Sequence, residues 1–132
     1  MNQILLISKS VKIHETLFSL PFAYFGCIYA NDGIIDWLIL FYVTIALGSA
    51  RTFGMAINRY LDFNIDQKNI RTKDRPLASK RLSIFSIKIV IIFSAILFFI
   101  ICYTLNKLAF YLSPFVLIIM FIYPFTKRFT FF

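Results

Sequence analysis

Asn58, Asp62 and Asp66 follow one another at four-residue spacing in the stretch NRYLDFNID. On a helix each four-residue step drifts by only about 40°, so the three side chains share a face. Together they offer hard oxygen donors along about 12 Å of helix, the ligand type that Mg²⁺ takes. The same polar stretch, 58–81, carries seven Lys or Arg among its 24 residues. Carboxylates set among cations suit a Mg²⁺-bound diphosphate: the metal bridges acid to phosphate, and the bases neutralise the remaining charge. A DxxxD pair also serves as an ordinary charged helix end, salt-bridged to nearby bases. Position favours the metal reading here. The pair closes a long apolar run with an amide ahead of it on the same face, and polar groups at such a place are costly unless used.

Arg51 precedes Asn58 by seven residues, which puts it on nearly the same face and about 10 Å deeper along the helix. A lone guanidinium in lipid is expensive. It either snorkels to a carbonyl or lines a polar cavity beneath the metal site, where it would steady a phosphate or an acidic substrate. Arg71, Lys73, Arg75, Lys80 and Arg81, with Lys127 and Arg128 further on, are candidates for phosphate contact and equally for a plain positive flank. His14 and Glu15, ahead of the first apolar run, read as interfacial residues. Nucleotide-binding glycine loops, HExxH, GxSxG and Cys/His clusters are all missing from the sequence.

The elements that must position these groups follow from composition. The chain is 60% hydrophobic and 19% aromatic, with only 15% charged residues. A soluble domain of this size has too much surface for that balance. The net charge of +8 is gathered in short segments between apolar runs. Such a pattern speaks for positive flanks on one side of a bilayer and against nucleic acid. Cys27 and Cys102 lie inside apolar runs and read as free thiols.

Four spans are expected, at roughly 14–31, 37–57, 83–106 and 108–126, in one all-α integral-membrane helical bundle covering 1–132. Pro21 is expected to kink the first. The amino-terminal flank, the 58–81 loop and the carboxyl-terminal flank are basic; the turn NDGIID is acidic. Both termini and the long loop are therefore expected in the cytoplasm, with the membrane taken to be a bacterial inner membrane. All the candidate groups then converge at one face.

NRYLDFNID and the following RTKDRPLASKRLS resemble the NxxxDxxxD and RTxxRPLPSGxLS segments of UbiA-type membrane prenyltransferases. KIHETLFSLPFAYFGCIYA, SARTFGMAINR and YPFTKRFT are similar to other segments of that family in the same order, especially its 4-hydroxybenzoate polyprenyltransferase-like branch. The resemblance implies a transferase that moves a polyprenyl group from polyprenyl diphosphate to an aromatic acid such as 4-hydroxybenzoate in quinone biosynthesis. It implies Asn58, Asp62 and Asp66 as holders of Mg²⁺ and Arg51, Arg71, Arg75 and Lys127 as diphosphate or acceptor contacts. Two departures stand out: Ala78-Ser79-Lys80 where the family has PSG, and His14-Glu15 in inverted order. Family members are also longer and carry a second aspartate motif. The expectation is a truncated or split member, inactive alone or completed by a second chain. The alternative is an inactive remnant or membrane assembly subunit that keeps the first half of the fold.

Overall fold

The computed structural model describes residues 2–129; the side chains of Ile13, His14 and residues 127–129 lie outside the described set. Every regular element among the described residues is a helix. α1 (Gln3–Val11) is followed by Lys12 in the left-handed region, and the chain turns there into α2 (Ile13–Leu17). α3 (Leu20–Ala30) starts after a break at Phe18 and Ser19. Pro21 sits in the first turn of α3, where a missing N–H leaves nothing unsatisfied. The first expected span is thus two short helices rather than one kinked helix, and the 11 residues of α3 rise only about 16 Å.

Asp36 then caps α4 (Trp37–Leu61), its carboxylate accepting from the amides of Leu38 and Ile39 at 2.9 and 3.2 Å. α5 (Phe63–Lys68) continues after a break at Asp62. A turn-rich loop, 69–83, leads to α6 (Ile84–Leu105), capped by Ser83. Asn106 caps α7 (Lys107–Phe129), its Oδ1 accepting from the amide of Ala109 at 2.7 Å. Pro124 lies inside α7 and does not close it. Among the described residues three helices, α4, α6 and α7, are long and apolar enough to cross a membrane. The chain is a multi-pass helical membrane protein.

α4 is the central element and packs against α1, α2, α3, α6 and α7. Two buried clusters hold it. Phe53 and Ile57 of α4 meet Phe98 and Cys102 of α6 and Leu117 of α7. Toward the other end, Ala56 meets Leu6 and Val11 of α1, Leu77 and Leu82 of the loop and Ile87 of α6. Burying Leu77 and Leu82 contributes about 1.5–3 kcal/mol each, which anchors an otherwise polar loop to the bundle. Phe22, Phe25 and Tyr29 on α3 and Phe93 on α6 are exposed, an apolar exterior suited to lipid.

The packing also sorts the charges. The carboxyl-terminal ends of α4 and α7 share one end of the bundle with the start of α6, α1 and the loop. The turns at the opposite end carry Asp32, Asp36 and Lys107. Arg51, Arg59 and the bases of the 69–83 loop therefore belong to the end that bears Asn58, Asp62 and Asp66.

Candidate functional site

The two helical turns from Arg51 to Asn58 place both side chains on one wall of a cavity of about 380 Å³. Gly54 and Met55 complete that wall; Ile119, Met120, Tyr123 and Pro124 of α7 form the facing one. The α7 residues fall at helical spacing, so a single stripe of that helix lines the space. Spacing alone does not reveal which stripe faces α4; Gly54 was the available signal. A Cβ there would sit 3.6 Å from the Met120 sulfur, an ordinary contact, so α7 runs alongside α4 at this position.

Two polar atoms on the residues of this wall stand out. Asn58 Oδ1 and Arg51 Nε are buried and have no hydrogen-bond partner among the described residues. Arg51 spends another nitrogen elsewhere: Nη1 donates to Ser19 Oγ at 2.9 Å, tying α4 to the break between α2 and α3. Buried polar atoms are nearly always paired, so an orphan donor and an orphan acceptor on two residues of one wall single that wall out.

Asp62 ends α4 and starts α5, so the three-residue motif is not on one uninterrupted helix. The backbone bonds nevertheless continue in helical register, from Asp62 N to Asn58 O at 3.0 Å and from Asp66 N to Asp62 O at 2.8 Å. Asp66 is 6% exposed. Arg75 Nη1 donates to both of its carboxylate oxygens at 2.9 Å. Thr72 Oγ1 donates to the Asp66 carbonyl at 3.2 Å, so the loop folds back over α5. Two expected ligand-binding residues, Asp66 and Arg75, are here bound to each other.

Arg71 is exposed on the loop, and only its backbone amide is held, by Asn69 Oδ1 at 3.0 Å. The Lys127 side chain falls outside the described residues. A smaller recess of about 170 Å³ opens beside Met55 and Asn58, lined also by Lys12, Glu15 and Arg59. Lys12 and Glu15 pair at 2.5 Å. Arg59 is half-buried and lies within the electrostatic reach of Arg75, Asp66, Asp62 and Glu15. Sequence reading passed over Arg59 because, one residue on from Asn58, it stands about 100° around the helix from the Asn58 face.

No group of three His, Cys, Asp or Glu gathers among the described residues, so a divalent ion has no all-carboxylate cage. The donor set still fits an oxygen-seeking cation that retains other ligands: one orphan amide oxygen and two carboxylates on successive turns.

The chain is thus a helical membrane bundle with an apolar cavity between α4 and α7 and with an amide, two acids and several bases gathered at one end. Residues 19–132 match the UbiA prenyltransferase family, and the chain belongs to that family. It is 37% identical over 124 residues to the 4-hydroxybenzoate octaprenyltransferase of Haemophilus ducreyi, which covers 94% of this chain and 42% of that protein. The enzyme of the same name from Janthinobacterium sp. (strain Marseille) is 30% identical, over 98% of this chain and 46% of the relative. A solved UbiA homologue from Aeropyrum pernix K1, in its apo form, superposes with a TM-score of 0.81 at 34% identity, over 88% of this chain and 42% of that one. The chain thus spans less than half the length of these relatives.

Proposed function

We propose that this chain forms the donor-binding part of a prenyltransferase that moves a polyprenyl group from polyprenyl diphosphate to an aromatic acid such as 4-hydroxybenzoate, in quinone biosynthesis. The observation that carries the reading is the apolar cavity between α4 and α7 lined by Arg51 and Asn58, two residues that each keep a buried polar atom, Nε and Oδ1, without a hydrogen-bond partner among the described residues. A metal–diphosphate head would suit both residues: Asn58 would offer its oxygen to the cation, and Arg51 would supply a counter-charge to the anion. The apolar face of Gly54, Ile119 and Met120 suits the first isoprene units.

Asn58, Asp62 and Asp66 would hold Mg²⁺. When bound, the ion supplies the positive charge that a departing pyrophosphate needs. Arg51 holds and orients the anion from the membrane side, and its bond to Ser19 fixes the guanidinium before any ligand arrives. Arg75, Arg71 and Lys127 are proposed as contacts to diphosphate or acceptor oxygens from the loop and from α7. The helices that longer relatives possess would supply further walls to the site. The basic end is placed in the cytoplasm, with both termini, and the membrane is taken as a bacterial inner membrane.

The test is retention of a radiolabelled polyprenyl diphosphate by the purified chain in lipid nanodiscs, with and without Mg²⁺, followed by addition of 4-hydroxybenzoate. Mg²⁺-dependent retention that Asp62→Asn removes is the expected result. Retention indifferent to Mg²⁺, to Asp62 and to Asn58 would overturn the proposal.

A further inference from the structure

We propose that Arg75 stands in for the metal–diphosphate at Asp66 until that ligand arrives, and then passes to the phosphate, so that the two halves of the ligand bind cooperatively. The inference rests on the diphosphate reading above and adds to it an exchange of partners.

Asp66 is a carboxylate with almost no access to water. A buried charge needs a counter-charge, and Arg75 supplies it through one nitrogen that reaches both oxygens. The oxygens that would face a cation are therefore taken by a guanidinium. The two partners are unequal. The Arg75 side chain is 35% exposed against 9% for Asp66. Arg75 can swing outward and remain solvated; Asp66 cannot.

The loop backbone around Arg75 is held in place, so its side chain can change partners without the loop moving. Asp66 O accepts from Thr72 Oγ1, and Thr72 O accepts from the Arg75 amide at 3.0 Å. Arg75 O accepts from both the amide and the hydroxyl of Ser79, at 2.9 and 2.8 Å. Gln67 Nε2 donates to Ala78 O at 3.3 Å, a second strap from α5 to the loop. Arg75 thus sits at the middle of a short knot whose one ionic fastening among the described residues is to Asp66.

Charge decides the coupling. A divalent cation alone would displace Arg75 from Asp66 and leave two cations side by side, with Arg59 close by. Pyrophosphate alone would draw Arg75 away and strand the buried Asp66 beside an anion. Both together give each member of the pair a new partner of opposite sign. A guanidinium released among phosphate oxygens also matches their geometry through its planar fork. The thermodynamic result is reciprocal: each half of the ligand raises the affinity for the other.

The experiment uses the full chain in nanodiscs, with Mn²⁺ as the metal probe and inorganic pyrophosphate as the anion. Retained Mn²⁺ is counted against a protein-free solution of the same composition. Arg75→Gln is expected to bind Mn²⁺ alone about tenfold more tightly than the wild type, a coupling of ordinary allosteric size. Arg75→Lys, which keeps charge but loses the fork, is expected between them and carries the test if Arg75→Gln does not fold. In both variants pyrophosphate enhances Mn²⁺ retention less than in the wild type. Lys68→Gln, which removes an exposed cation two residues from Asp66, is expected to change nothing; an equal gain from it would reduce the effect to a general field and overturn the exchange. Unchanged or weaker Mn²⁺ binding in the Arg75 variants, while Asp66→Asn still weakens it, also overturns the exchange and leaves the diphosphate site standing. Mn²⁺ retention with pyrophosphate that neither Asp62→Asn nor Asp66→Asn alters would remove both.

Discussion

Arg51 and Asn58 lie two helical turns apart on one wall of the α4–α7 cavity, and each keeps a buried polar atom, Nε and Oδ1, without a hydrogen-bond partner among the described residues. One is an acceptor and the other a donor. Their separation along the helix, about 10 Å, leaves room for a ligand that is positive at one end and negative at the other. A fold that leaves two such groups desolvated gives up stability at this point, a common signature of a binding site.

Asn58→Ala follows directly. Removing an unsatisfied buried amide takes away a desolvation cost and deletes no hydrogen bond made through Oδ1. Thermal unfolding in detergent is expected to show no loss, or a gain of up to about 1 kcal/mol. Pyrophosphate-dependent Mn²⁺ retention should fall at least about tenfold, the size of one charge-assisted contact. A clear drop in melting temperature would mean that Asn58 holds the fold together and is not kept for a ligand.

Arg51 separates into two roles. Its Nη1 bond to Ser19 fastens α4 to the α2–α3 break; its Nε is free for an anion. Ser19→Ala is expected to cost about 0.5–1.5 kcal/mol of stability, one hydrogen bond, and to weaken polyprenyl diphosphate binding only slightly. Arg51→Met removes both roles, so binding should be lost well beyond what the stability change explains. Equal binding losses in the two variants would show that Arg51 acts only by bracing the helices.

These two residues also show how far the sequence was readable. The charge-free runs of α4, α6 and α7 are long, and hydrocarbon length translates directly into span length. The seven-residue step from Arg51 to Asn58 translates equally directly into a shared face. The break at Phe18 and Ser19 was not readable, because Pro21 suits both a kink within a helix and the first turn of a new one. Nor was the break at Asp62. Least visible was the Asp66–Arg75 pair, which depends on a loop returning over α5 through Thr72 and on Leu77 and Leu82 being drawn into the core. No helical or strand period connects residues nine apart across a turn.

That pair makes a separate prediction about stability. Asp66→Asn leaves Arg75 without its ion-pair partner, but Arg75 is about a third exposed and can turn to water. The expected cost is about 1–3 kcal/mol, below the 3–5 kcal/mol of a fully buried pair. Arg75→Gln alone should cost more, since it strands the buried member. The double variant should be less destabilised than the two singles summed. Limited proteolysis within 69–83 measures it: additive susceptibility would mean that the two side chains do not depend on each other.

Gly54 allows the head and the tail of the ligand to be tested apart. It lies on the cavity wall between Arg51 and Asn58, where a methyl would sit 3.6 Å from the Met120 sulfur, an ordinary contact. Gly54→Ala should therefore fold normally, helped by the better helix propensity of alanine, about 1 kcal/mol. Gly54→Leu extends further and occupies space between α4 and α7 that the reading gives to isoprene units. The head-group residues remain untouched in both variants. Mn²⁺ retention with inorganic pyrophosphate is thus expected to survive Gly54→Leu, while the extra affinity that a polyprenyl tail adds over pyrophosphate should largely disappear. Loss of both together would mean that leucine has disturbed α4 itself, which circular dichroism would register. Retention of both would mean that the tail runs elsewhere, and that the α4–α7 cavity serves the charged end alone.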